Sequence, residues 1–262
     1  MLPPFTKTTM KRNHCRTRFL FSGFFTLGLS ALITACSSLP EADPANVPDY
    51  AGVIASPVRT DQDRRMDAGR HPAEFLPFTQ VRPGMRVLDV SAGGGYTSQL
   101  LALAVGPSGK LWAQAQKPGA TLQKRLADKP QENFIVVERS FEDPVPEQAS
   151  MLDLVTIVLN YHDISYQPID RARMNARLFA ALKPGGRLVI IDHAGRTETG
   201  ISEGRTLHRI DRDFVVAEVR QAGFVLDREG DFLRNPADPR DQSSNDPKVP
   251  TDKFALRFVR PK

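Results

Sequence analysis

The amino-acid sequence predicts an α/β fold, a doubly wound and mostly parallel sheet with helices on both faces. From residue 85 onward, short apolar runs of strand length alternate with helical patterns. Gly- and Pro-based turn signals separate many of them. One run, Val87-Leu88-Asp89-Val90, feeds Gly93-Gly94-Gly95 and then a helical stretch. That strand, turn and helix order lets a ligand approach a backbone that has no Cβ in the way.

The first 35 residues read as an export signal. Lys7, Lys11, Arg12, Arg16 and Arg18 form a positively charged start, and Phe19 to Ile33 is apolar but shorter than the roughly 20 residues of a transmembrane helix. Ile33-Thr34-Ala35-Cys36 resembles a bacterial lipobox, which implies cleavage before Cys36 and a lipid anchor on it. Ser37 beside that cysteine favours the outer membrane of a Gram-negative host, with the chain facing the periplasm. The only other cysteine, Cys15, would leave with the signal, so no disulfide is expected. The five signal cations account for the whole formal charge of +5, which leaves no electrostatic case for nucleic acid.

Residues 36 to 59 carry Pro40, Pro44, Pro48 and Pro57 without an apolar period and read as a tether, so the domain is expected over 60–262. A helical lead with Asp61 as cap runs from Thr60 through Phe75 and Phe78 to Pro83-Gly84. Strands are expected at Met85–Val90, Leu111–Ala115, Phe134–Val137, Leu152–Leu159, Leu188–Ile191, from Phe224 to Leu226, and at Lys253–Val259. Helices are expected at Thr97–Val105, Ala120–Ala127, Ile169–Leu182 and Phe214–Ala222, and Asn235 to Thr251 reads as an irregular loop. Ligands of such sheets bind at the carboxyl ends of the strands. The residues after each strand are therefore the candidates: Ser91 to Tyr96, Gln114 to Lys117, Arg139 to Asp143, Asn160 to Ile164 and Asp192 to Gly195.

Asp89, Gly93 and Gly95 match the D-x-G-x-G-x-G loop of the class I S-adenosylmethionine-dependent methyltransferases, and the resemblance extends from Asp61 to Pro261. Leu182 to Arg187 and Ala222-Gly223-Phe224 look like that family's turns before its fifth and sixth strands. Asp67-x-x-Arg70, Asn160-Tyr161-His162-Asp163, Asp192-His193 and Leu207-His208-Arg209 look like an exported lipoprotein subgroup of predicted methyltransferases. The resemblance implies a Rossmann-like sheet of seven strands with an antiparallel last strand. It implies S-adenosyl-L-methionine as cofactor, held by Asp89, Ser91, Gly93, Gly94, Gly95, Gln114, Gln116, Glu142 and Asn160. It also implies a small-molecule methyl acceptor, met by Asp67, Arg70, His71, Tyr161, Asp192, His193, His208 and Arg209. The chain departs from the pattern in two places. Ser91 replaces the first loop glycine, and Gln114 and Gln116 stand where the family has the acid that grips the ribose. The same missing acid, with Ser98 in place of a third Gly, argues against a nicotinamide cofactor.

His162 or Asp163 is expected to act as general base for an oxygen or nitrogen nucleophile. The competing reading has the pair fix a loop, and a third has His162, Asp163, Asp192 and His193 hold a divalent ion; no metal is assigned from sequence. A different class stays open as well, a periplasmic binding or structural protein that keeps the sheet without the transfer chemistry. Nothing in the sequence sets the oligomeric state.

Overall fold

The computed structural model describes residues 48–262; the expected signal, Cys36 and the first part of the expected tether lie outside them. Among the described residues no helix is long and apolar enough to cross a membrane.

The helices of the domain begin earlier than expected. Helix α1 (Tyr50–Ala55) is capped by Asp49, whose side chain accepts the Gly52 N–H. The Tyr50 hydroxyl donates to Val81 O at 2.7 Å, and Val53 and Ile54 pack on the core. Residues 50–59 are thus part of the domain, a correction to a tether ending at Arg59. A single six-residue turn is too short to print a helical period on the sequence.

Helix α2 (Asp61–Arg70) opens with a capping box between Thr60 and Asp63. The expected helical lead does not continue through it. His71 takes a left-handed conformation at φ 48, and Pro72, which suits a first helical position, starts α3 (Pro72–Thr79). Strand β1 (Arg86–Val90), α4 (Tyr96–Val105), β2 (Lys110–Ala115), α5 (Ala120–Asp128), β3 (Phe134–Glu138) and β4 (Leu152–Val158) follow in the expected order. Then come α6 (Tyr161–Ser165), α7 (Arg171–Ala181), β5 (Leu182–His193), α8 (Gly204–Leu207), α9 (Arg212–Gln221), β6 (Val225–Gly230) and β7 (Lys253–Val259).

The seven strands form one sheet in the order β3-β2-β1-β4-β5-β7-β6. β7 runs antiparallel to both β5 and β6, and the remaining pairs are parallel. Strand β5 starts six residues before the expected Leu188, because Leu152 pairs with Leu182 and Leu154 with Arg187, and the residues between bulge out at Gly185, φ 78. Alternation divides β1 between two cores: Leu88 and Val90 face α7 and α9, while Val87 faces α3 and α4. Strand order reverses between β1 and β4, and a crevice opens there at their carboxyl ends.

Candidate functional site

The glycine loop between β1 and α4 forms the floor of the crevice. Ser91, Gly93 and Gly95 all have positive φ, at 60, 53 and 83. Gly93 is exposed, and a Cβ there would meet nothing nearer than the loop's own Ser91 O at 4.0 Å, so its open side is free for a ligand. Gly95 serves packing instead, since a Cβ there would lie 2.8 Å from Leu122 Cδ1. Ser91 lacks glycine's freedom and is held from two sides. Its N–H donates to Gln114 Oε1 at 2.9 Å and its hydroxyl donates to Asn160 Oδ1 at 2.6 Å. Gln114 also donates from Nε2 to Arg139 O at 2.6 Å, so a fully buried amide ties β1, β2 and the segment after β3 together.

Asp89 lies beneath the loop, 2% exposed, accepting from Ser98 Oγ and Thr156 Oγ1 at 2.6 Å each. Burial pushes its carboxyl up to about 6, against the pull of the two hydroxyls and the Arg70 charge. Helix α2 roofs the crevice. Arg125 of α5 joins roof to floor, donating to Gly94 O at 3.0 Å and bidentately to Asp63 at 2.8 and 2.7 Å. Asp67 receives Arg59 and the Tyr96 hydroxyl, the latter at 2.7 Å. Arg70 makes no hydrogen bond or ion pair among the described residues, and it lines the cleft, ≈ 230 Å³, with Met66, Gly93, Gly94, Val158, Leu159 and Asn160.

A second cluster sits at the ends of β4 and β5. Asp192 is fully buried; its Oδ1 lies 2.6 Å from His162 Nδ1, its Oδ2 accepts the His162 N–H at 2.8 Å, and Oδ1 also accepts the His193 N–H at 2.8 Å. Asp163 Oδ1 lies 3.3 Å from His162 Nε2 and 3.0 Å from His208 Nδ1, and accepts from Tyr166 Oη at 3.1 Å. Burial opposes a charge on His162, but the charge of Asp192 and the bonds to Asp163 and Asp192 outweigh it and raise the imidazole to about 10. Asp163 is lowered to about 2 despite burial, by the bond to and charge of His162. Burial lowers His193 to about 3, against the charge of Asp192.

No protein-family profile matches the chain. A search of solved structures finds a SAM-dependent methyltransferase from Aquifex aeolicus at TM-score 0.54 and 19% identity, covering 77% of this chain and 99% of that one. The fold is that of the class I methyltransferases. The glycopeptide N-methyltransferase MtfA, solved with sinefungin, shares the methyltransferase fold at TM-score 0.52 and 17% identity, covering 72% of this chain and 85% of its own. In sequence, the ubiquinone/menaquinone biosynthesis C-methyltransferase UbiE of Bordetella parapertussis is 30% identical over 161 residues, 59% of this chain and 60% of that protein. The chain therefore spans about three-fifths of the length of the curated relatives it matches.

Of the residues singled out in sequence, the methyltransferase fold brings Asp89, Ser91, Gly93, Gly94, Asn160 and Arg70 to the cleft. Gln114 is spent on the loop rather than turned to a ribose, and Gln116 is exposed beyond β2, outside the cleft lining. Glu142 caps the start of α7 by accepting the Asp170 N–H at 3.1 Å. Asp67 braces the roof, and His71 forms the break after α2, 3.8 Å from Glu74. Tyr161 is fully buried, donating to Glu218 Oε2 at 2.6 Å and accepting from Asn175. Arg209 is fully buried against Asp238 and pins the loop after β6. His162 and Asp163, expected as the general base, lie beside the cleft rather than in its lining, and each ring nitrogen of His162 faces a carboxylate. Asp63 and Arg125 were not legible, because they meet across 62 positions.

Proposed function

We propose that the chain binds S-adenosyl-L-methionine in the cleft and transfers its methyl group to an oxygen or nitrogen nucleophile of a small molecule. The observation that carries this is the loop itself, with Gly93 open toward a crevice at the point where strand order reverses. The residues fit such a cofactor in part. Backbone N–H groups of the loop and the Arg70 guanidinium suit its carboxylate, and Asn160 offers an amide beside the loop. Bound there, the cofactor supplies an electrophilic methyl group. The protein's part is then positioning, with Met66, Val158 and Leu159 as an apolar wall. Of the cleft's carboxylates, Asp63 is paired with Arg125 and Asp89 is buried beneath the loop, and an acceptor oxygen or nitrogen already carries the lone pair that attacks. The curated relatives are C-methyltransferases, and a carbon acceptor asks more of a base.

Calorimetric titration with S-adenosylmethionine and S-adenosylhomocysteine tests the reading. Saturable binding of both supports it, and binding of neither at millimolar concentration overturns it. A non-catalytic protein that retains the fold is the second reading. It is favoured by Gln114, whose inward turn leaves no acid at the end of β2 for the ribose hydroxyls. Cofactor turnover in the presence of small phenols and amines separates the two.

We also propose the anchor expected at Cys36. Release of a Cys36→Ala chain from the membrane fraction would support it, and unchanged partitioning would not.

A further inference from the structure

Three ligand-type side chains converge beside the cleft, on α6 and on the residue that ends α8. His162 Nε2, an Asp163 oxygen and His208 Nδ1 lie within 4.8 Å of one another. Donors held at about 2.0–2.2 Å around a common tetrahedral or octahedral ion stand roughly 3.0–3.5 Å apart. The observed separations from Asp163 Oδ1 are 3.3 Å to His162 and 3.0 Å to His208. The two pairs that include Asp163 therefore stand at ion-binding spacing, with the two histidine nitrogens within 4.8 Å of each other.

The surroundings have the character of a built site. Asp192 fixes His162 twice, through ring Nδ1 and through the main-chain N–H, which leaves Nε2 facing Asp163. A carboxylate behind a histidine is the usual support of a metal-ligating imidazole. His208 sits in a left-handed conformation, φ 51, and its ring packs edge-on to His162 with centroids 5.6 Å apart. Two carboxylates converging on one imidazole call for positive charge, which a divalent ion supplies as well as a proton does. The site is open on one side: side-chain exposure is 5% for His162 but 29% for Asp163 and 25% for His208. Asn160, which lines the cleft, approaches Asp163 Oδ2 at 3.5 Å.

We propose that His162 Nε2, Asp163 and His208 Nδ1 bind one divalent transition-metal ion, with Asp192 orienting His162 from behind. Two nitrogens and one carboxylate oxygen on one side of an ion leave its other positions open. On the methyl-transfer reading, those positions would hold an oxygen of the acceptor; the ion site itself does not depend on that reading.

The test uses the full chain in detergent, stripped with a chelator, dialysed, and titrated with Zn²⁺ by calorimetry and with Co²⁺ by visible absorption, without cofactor. The expected result is one ion per chain, with Co²⁺ bands of nitrogen and oxygen coordination. His208→Ala and Asp163→Asn should each weaken binding by at least about tenfold, and Asp192→Asn by about 10–100-fold. His208 is partly exposed, so its variant should keep the wild-type circular dichroism and melting profile even if the Asp192 variant does not. Absence of binding in the wild-type chain overturns the proposal, as does binding that His208→Ala and Asp163→Asn leave unchanged. Metal binding without S-adenosylmethionine binding in a parallel titration would uphold the ion site and overturn the methyl-transfer reading alone.

Discussion

Replacing Asp89 by Asn should stabilise the protein at neutral pH and remove part of its pH dependence. Asp89 is buried, and its carboxyl is raised from 3.8 to about 6, chiefly by burial. A raised folded pKa means that the protonated form is the one the fold favours. The contribution is fully present below pH 3.8 and is lost as pH rises through about 6. Each pKa unit corresponds to about 1.36 kcal/mol, so the charged carboxylate costs on the order of 3 kcal/mol by neutral pH. Asparagine carries no such penalty. It can still accept one of the two hydroxyls, while the other loses its carboxylate partner at a cost of about 1 kcal/mol. The net expectation is a gain of roughly 2 kcal/mol at about pH 7.5, and a loss of about 1 kcal/mol at about pH 3.5, where both side chains are neutral. Urea denaturation followed by Trp112, the chain's single tryptophan and buried in β2, measures both. Equal destabilisation at the two pH values would refute the reasoning, since it would mean that the hydroxyls fully compensate the buried charge.

Arg125→Ala leaves the Asp63 carboxylate buried without its guanidinium and should cost about 3–5 kcal/mol in urea denaturation; a loss under about 1 kcal/mol would show the pair to be solvated. Gln114→Ala removes the acceptor of the Ser91 N–H and should cost about 1–3 kcal/mol together with cofactor affinity, read by denaturation and calorimetry on the same sample. Arg70→Ala should lower S-adenosylmethionine affinity about tenfold or more, about 1.4 kcal/mol, with melting unchanged and partial recovery in Arg70→Lys. Tyr161→Phe should cost about 1–3 kcal/mol of stability through the bond to Glu218 and leave cofactor affinity unchanged; a selective loss of affinity would return Tyr161 to the site.

The sheet was legible because most strands are short apolar runs bounded by turns, and the same pattern located the glycine loop. Boundaries failed where local pattern is silent. Lys183–Gly186 reads as a turn and is a bulge within β5, because its place is set by pairing with β4. Tyr161 follows the cleft residue Asn160 in sequence and Arg209 follows His208, yet their side chains point into buried networks with Glu218 and Asp238, partners 57 and 29 positions away. His162 was recognisable as a chemical group but not as the neighbour of two carboxylates. Its state depends on Asp192, brought to it by the parallel pairing of β4 with β5. Gln114 shows the same limit, since a strand-end amide looks equally ready for a ribose and for a backbone, and only the loop's course decides.

The packing of residues 50–59 against the domain bears on how the protein is to be cut for study. A truncation begun at residue 60 would discard Arg59, which bridges Ile54 O and Asp67, and Tyr50, whose hydroxyl meets Val81. Asp67 would then keep only the Tyr96 hydroxyl, and the helix over the crevice would lose its anchor on that side. Weak binding by such a fragment would report the cut, whereas a fragment begun at Pro48 keeps the roof of the crevice intact.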